Sequence, residues 1–254
     1  MKLCHISPSN ALNKISILGN IEFCLTPYCK DEKYLDYFIE EKKKGRFVIV
    51  DNGIAENKLI KLDKMIEYAF KIKASEFIIP DVIGDKKKSD NMRKDFLNKY
   101  YKIFKDKGIR LMGVIQGSTF EEYLKSFEEI NNDKRIDVIG IPFRMKFYKF
   151  DSVNKDILHS LNRLTFLHFI KNKVIKDIHC LGCNSIAELI ELNKIKQVRS
   201  CDSKIICRYS MIFRSISPSD ISKPVDRVDI EKGICKQGIS FAKTQIKRLN
   251  TLLK

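Results

Sequence analysis

The chain has 254 residues, enough for one large domain or two small ones, and its 44% apolar content is sufficient for a real core. No apolar run approaches the roughly 20 residues needed to cross a bilayer, which argues against a membrane partner. Forty-eight Lys and Arg against 32 Asp and Glu leave a net charge of +16, which favours a polyanion such as nucleic acid over a merely lysine-coated surface.

The N-terminal stretch, residues 1–14, has no long apolar segment, so no secretory signal is read there and a cytoplasmic location is expected. Eight cysteines in such a chain read as free thiols rather than a disulfide framework. A strand is expected near Ile21–Leu25 and a helix near Glu32–Lys43. From there a rhythm recurs: a short β-rich apolar run, a polar or glycine-containing turn, then an amphipathic stretch. RFVIVDNG (46–53) precedes a segment in which Leu59, Leu62, Met65, Ile66, Ala69 and Phe70 recur at helical spacing. Asn52-Gly53 alone would signal a hairpin turn, but a helical pattern follows, so a tight strand-to-helix loop is expected. SEFIIPDVIGD (75–85) precedes a helix over 89–107. IRLMGVIQG (109–117) precedes STFEEYLKSFEEI, where Ser118 and Glu121 form a capping box. IDVIGIPF (136–143) leads through the basic loop FRMKFYKF (143–150) to a helix over Val153–Asn172. IKDIHCLGCN (175–184) leads to SIAELIELNKI, with Ser185 and Glu188 as a second capping box, and QVRSCDS (197–203) comes next.

Strands alternating with helices predict a parallel sheet. Seven strands can be placed, and an eighth is sought in the last 50 residues, where no position stands out. The count favours an α/β fold of (β/α)8 TIM-barrel type with parallel strands: one domain over 1–254, irregular toward its C-terminal end, with a basic segment 203–254. No G-x-G-x-x-G follows a strand, which weakens the doubly wound alternative.

In such a barrel the C-terminal ends of all strands share the face that holds the active site. Asp51 closes one strand. Asp81 closes the next, after Pro80, and Gln116 and Gly117 the one after that. Gly140 and Pro142 end another, His179 and Gly182 flank the end of the next, and Asp202 ends the last. A single Asp before a helix is often only an N-cap, but helices cap equally well with Ser or Thr. Three carboxylates and a carboxamide on one rim require a substrate with several N–H donors or a cationic transition state.

The ordered set Asp-x-Gly at 51–53, Pro80-Asp81, GVIQG, VIGIP, HCLG and SCDS resembles the tRNA-guanine transglycosylase superfamily over about Gly45 to Ser203. That resemblance implies a TIM barrel and a pentosyltransferase that exchanges guanine in a nucleic acid for a 7-deazaguanine such as preQ0. It implies Asp202 as the nucleophile on the sugar C1′ and Asp51 beneath the purine as general acid/base or binding group. It assigns Asp81, Gln116 and Gly117 to the base edge, the backbone at Gly140 to the pocket, and His179 and Gly182 to its wall. The chemistry is consistent. Guanine offers N1–H and an exocyclic amine to a carboxylate, and a Gln can meet O6 and N7. A covalent Asp–sugar intermediate gives two displacements with net retention. A paired base must be flipped or presented unpaired.

The pattern departs from the tRNA enzymes in lacking their structural C-x-C-x-x-C…His zinc motif after the nucleophile, and in length. Cys180, Cys183, Cys201 and Cys207 could be imagined around a zinc, but their spacing is poor, so no metal or cofactor is expected. A short, basic, zinc-free form resembles the branch that places 7-deazaguanines in DNA, in bacterial or phage-infected cells. DNA is therefore the expected polymer. Alternatives are the same exchange on tRNA, a non-catalytic nucleic-acid-binding member, or an unrelated metabolic barrel, for which EKGICKQG is a faint phosphate-loop candidate. Residues 203–254 carry eleven Lys and Arg against four Asp and Glu. Arg144, Lys146, Lys149, Lys204 and Arg208 are candidate phosphate contacts. Phe147, Tyr148 and Phe150 either stack on an unpaired base or pack their loop against a helix.

Overall fold

The β-rich runs become short strands buried on both faces, the pattern of a parallel sheet covered by helices. The computed structural model describes residues 1–53, 60–148, 153–222 and 233–254. Its strands are β1 (Lys2–His5), β2 (Glu22–Leu25), β3 (Val48–Asp51), β4 (Glu76–Ile78), β5 (Arg110–Val114), β6 (Val138–Pro142), β7 (Asp177–Leu181) and β8 (Val198–Ser203). All seven strand pairings are parallel, in the order β1-β8-β7-β6-β5-β4-β3-β2. β1 and β2, at the two ends of that order, approach each other, so the sheet curls into a nearly closed (β/α)8 barrel.

The helices are α1 (Glu32–Lys43), α2 (Leu62–Ile72), α3 (Lys86–Asp106), α4 (Phe120–Asn132), α5 (Lys155–Ile170), α6 (Ile186–Lys194), α7 (Ile205–Met211) and α8 (Lys236–Leu252). Each buries apolar residues, and α8 packs on α7. On α2 they are Met65, Ile66, Ala69 and Ile72, at the spacing that repeats one helical face. Two 3-10 turns, Ser9–Ala11 and Ser16–Leu18, replace the helix between β1 and β2. After α7 the chain runs through residues 212–222 without a helix or strand. Asn10 then ties it back to the N-terminal loop, donating to Ile234 O at 2.9 Å and accepting from Ile234 N at 3.2 Å.

Three expectations are corrected. The eighth strand is not in the last 50 residues; it is β1, whose four residues are too few to show a period but pair with β8 from Lys2↔Ser200 to His5↔Ser203. The helix after GVIQG is capped by Thr119, which accepts from Glu122 N at 3.2 Å, and not by Ser118 with Glu121. Glu122 instead accepts from Ser118 N and Oγ, both at 2.7 Å. Helix α3 starts before Ser89, because Asp85 accepts from Lys88 N at 2.9 Å and caps it. The Ser185 cap stands, accepting from Glu188 N at 3.1 Å, although the Glu188 carboxylate is turned elsewhere.

β3 runs parallel to both of its neighbours, so Asn52-Gly53 is not a hairpin turn. Gly53 takes a φ of +72°, a left-handed conformation that L side chains adopt at a cost. At the N-terminal end of the barrel the interior is plugged by charge. Arg199 meets Glu76 at 2.8 and 2.9 Å, and outside this plug the more exposed Arg110 meets Asp177 at 2.9 Å. Glu76 is fully buried and is neutralised there by Arg199, with Arg110 3.8 Å away.

Candidate active site at the barrel mouth

The period-two alternation of parallel strands decides which side chains reach the barrel interior. On β8 it sends Ser200 and Asp202 to one side, and on β7 it sends His179 with them, in register with Ser200; a register shift just before, from Ile178↔Val198 to His179↔Ser200, makes Arg199 an extra residue that departs from the alternation and reaches Ser200. His179 Nε2 lies 3.2 Å from Asp202 Oδ1, and His179 Nδ1 lies 2.8 Å from Ser200 Oγ. The imidazole stacks on Phe23 of β2 across the interior, 5.7 Å between centroids and 12° between planes. Gly182 follows β7 at a φ of +64°, which turns its N–H onto the same Asp202 Oδ1 at 2.8 Å. His179 and Gly182 therefore hold a carboxylate rather than merely line a wall. Among the described residues Asp202 Oδ2 makes no hydrogen bond, and Asp202 is 5% exposed.

The Gly182 turn is fixed from behind by Arg163 of α5. This arginine is fully buried, pairs with Glu188 at 2.6 Å, and donates to Leu181 O at 3.0 Å and Gly182 O at 2.7 Å. Burial opposes its charge, but the Glu188 carboxylate holds it cationic. The sequence reading missed Arg163. Its signal is a charged residue three, four and seven positions before Phe166, Leu167 and Ile170, on the face that helical spacing marks as core.

Across the mouth, Asp81 is buried between two carboxamides. Asn52 Nδ2 donates to Oδ1 at 3.1 Å and Gln116 Nε2 to Oδ2 at 2.6 Å. Gln116 is oriented in turn, accepting from Gly84 N at 2.9 Å. Burial pushes the Asp81 carboxyl up to about 6, with the two amide donors opposing the shift. A desolvated carboxyl held three residues beyond a strand end is the kind of perturbed group that marks functional sites. Asn52 was read only as a loop residue; its partnership with Asp81 across 29 positions leaves no trace in local spacing. Asp51 Oδ2 accepts from Gly53 N at 2.8 Å, and its carbonyl accepts from Thr26 Oγ1 at 2.7 Å. On the strand order Asp51 lies beside Asp81, with β1 and β2 between it and Asp202.

The remaining residues have other surroundings. A Cβ on Gly117 would meet Glu122 Cβ and Tyr123 N at 2.9 Å, so this glycine lets α4 approach the strand end. A Cβ on Gly140 would meet Val114 at 3.0 Å, and the Gly140 carbonyl accepts from Ile115 N at 3.0 Å. Arg144 and Lys146 are exposed on a β6–α5 loop whose backbone is anchored by Asn162, which bonds Met145 O and Tyr148 N, each at 3.1 Å. Arg208 is half-buried and donates to Asn184, and Lys204 is half-buried. Lys149 and Phe150 lie outside the described residues. Phe147 packs edge-on against Phe120 at 5.2 Å, which is helix packing, whereas Tyr148 is 50% exposed.

Of the four thiols considered for zinc, Cys183 and Cys201 contact each other, and three donate to oxygen acceptors. Cys183 donates to Glu188 Oε2 at 3.1 Å, Cys201 to Asp202 O at 3.4 Å and Cys207 to Ile6 O at 3.2 Å. Burial pushes the Cys180 and Cys207 thiols up to about 12. Among the described residues no group of three or more His, Cys, Asp or Glu is placed to hold a metal ion, and no helix is long and apolar enough to cross a membrane. No family model matches the chain, and a search of curated proteins finds no match.

Proposed function

We propose that the chain is a transglycosylase that exchanges guanine in DNA for a 7-deazaguanine base through a covalent Asp202–sugar intermediate. The observation that carries this reading is the asymmetry of Asp202: one oxygen is pinned by His179 and Gly182 while the other makes no hydrogen bond among the described residues. A carboxylate held in this way on the mouth of a parallel barrel is suited to attack an electrophilic carbon.

In the first displacement Asp202 Oδ2 bonds to the sugar C1′ as the C1′–N9 bond breaks. The electron pair leaves with the purine, and Asp51 in its acid form supplies a proton to the departing base. In the second, Asp51 takes the N9 proton of the incoming base, N9 bonds to C1′, and Asp202 is released. Two inversions give net retention. Asp81 and Gln116 meet the Watson–Crick edge, which guanine and 7-deazaguanine share. Binding N1–H and the exocyclic amine would bring donors to the Asp81 carboxylate and stabilise its ionised form. The net charge of +16 and the exposed Arg144 and Lys146 support a nucleic-acid polymer.

The test is incubation of the protein with guanine-containing DNA, or with tRNA, and labelled preQ0. Label entering DNA is expected. Label entering tRNA alone would transfer the activity to tRNA, and label entering neither, with the protein folded, would refute the exchange.

A further inference from the structure

Arg199, Ser200, His179 and Asp202 form one continuous hydrogen-bonded line from the charged plug at the bottom of the barrel to its mouth. Arg199 is held by Glu76 and donates from Nε to Ser200 Oγ at 3.2 Å. Arginine has only donors, so the serine oxygen accepts there. The one hydroxyl hydrogen of Ser200 is then available to His179 Nδ1, 2.8 Å away. A ring accepting at Nδ1 carries its hydrogen on Nε2, which faces Asp202 Oδ1 at 3.2 Å. The other tautomer would set a bare nitrogen lone pair against a carboxylate oxygen. Ser200 and His179 are fully buried, and Phe23 packed flat on the imidazole keeps its plane in this line. Nothing in this chain of contacts touches the mouth except Asp202 itself.

We infer that Glu76, Arg199, Ser200 and His179 are positioning residues: they fix His179 as the Nε2–H tautomer, and that hydrogen, with Gly182 N–H, pins Asp202 Oδ1 so that Oδ2 faces the substrate. The inference rests on the proposed nucleophilic role of Asp202 for its consequence in rate, but its geometry is testable without any substrate. The analogous arrangement in metal sites and triads, where an outer partner sets the tautomer of a histidine, is a general device.

The experiment is nitrogen-15 NMR of the imidazole of His179 in the full chain, wild type and Ser200→Ala, assigned by loss of the signals in His179→Gln. The wild type is expected to show a protonated nitrogen at Nε2 and a bare one at Nδ1, and Ser200→Ala to lose this fixed assignment. A hydrogen on Nδ1 in the wild type, in either the other tautomer or the imidazolium, would overturn the inference. The rate arm uses exchange of labelled base. Ser200→Ala is expected to lower kcat by ~10–100-fold with KM little changed, as for other outer-shell partners. Ser200→Thr, which keeps the hydroxyl, should restore much of the loss, and His179→Gln, which keeps a donor near Nε2, should exceed His179→Ala. A fixed Nε2–H tautomer with unchanged kcat in Ser200→Ala would remove the positioning role. A wild type with that tautomer but no exchange would sink the transglycosylase reading and leave the hydrogen-bonded line standing.

Discussion

The two sides of the barrel mouth hold their carboxylates in opposite ways. On the β7–β8 side Asp202 is pinned through one oxygen by a backbone N–H and an imidazole, each fixed from behind by an arginine: the buried Arg163 for the Gly182 turn, and the half-buried Arg199 through Ser200 for His179. On the β3–β5 side Asp81 has a carboxamide on each oxygen, and burial raises it to about 6. The first arrangement leaves an oxygen to react. The second presents a carboxyl that has lost water and regains its charge most readily when a ligand brings further donors. On the proposed function, one fold would supply a nucleophile and a base reader from the same residue type, distinguished by how they are held.

This contrast can be broken from either side. The largest effect is expected on the Asp202 side, where Asp202→Ala should lower exchange by ~10⁴-fold or more, the scale seen when a nucleophile is removed. Label incorporation would measure it, and retention of more than a tenth of the activity would contradict the assignment. Next comes the support behind that side. Arg163→Met leaves Glu188 buried without its partner, and urea unfolding should show a loss of ~3–5 kcal/mol. A loss below ~1 kcal/mol would mean that Glu188 finds another neutralising arrangement.

On the Asp81 side the signature is a pH dependence. The carboxyl is raised from 3.8 to about 6, so the stability carried by its protonated form is present below about pH 4 and is lost as pH rises through 6. The proposed reading of the base by Asp81 needs its ionised form, so on that proposal kcat/KM should rise through about pH 6. Asn52→Ala removes one donor worth ~1 kcal/mol, which should move that limb upward by roughly 0.7 pH unit. A limb that stays in place would detach it from Asp81. The smallest effect is expected at the rim. Arg144→Ala with Lys146→Ala should weaken DNA binding several-fold at low salt and reduce the salt slope by about 0.9 per lost phosphate contact. An unchanged slope would place the DNA track elsewhere.

The elements that carry the rim were legible because a parallel barrel writes each strand as an apolar run leading into a polar residue: Asp51 and Asp202 lie at the ends of β3 and β8, and Asp81 and Gln116 lie three and two residues beyond the ends of β4 and β5. What sits one layer deeper was partly legible. Ser200 shares the two-residue period of Asp202, and Arg163 begins the buried face that continues as Phe166, Leu167 and Ile170. Neither announces its partner, since Arg163–Glu188 and His179–Ser200 close over 25 and 21 positions. Strand β1 was invisible for another reason. Four residues beside Pro8 give no periodicity, and only the ladder with β8 makes them a strand. The glycines divided similarly: Gly182 proved to aim an N–H at Asp202, while Gly117 makes room for a helix.

The most direct test of the account is to trap the protein on guanine-containing DNA, denature it, digest it and locate the sugar-linked residue by mass spectrometry. The account predicts a single modified side chain, Asp202, and no modification in Asp202→Asn. A sugar found on Asp51 or Asp81, or an adduct that survives Asp202→Asn, would contradict it.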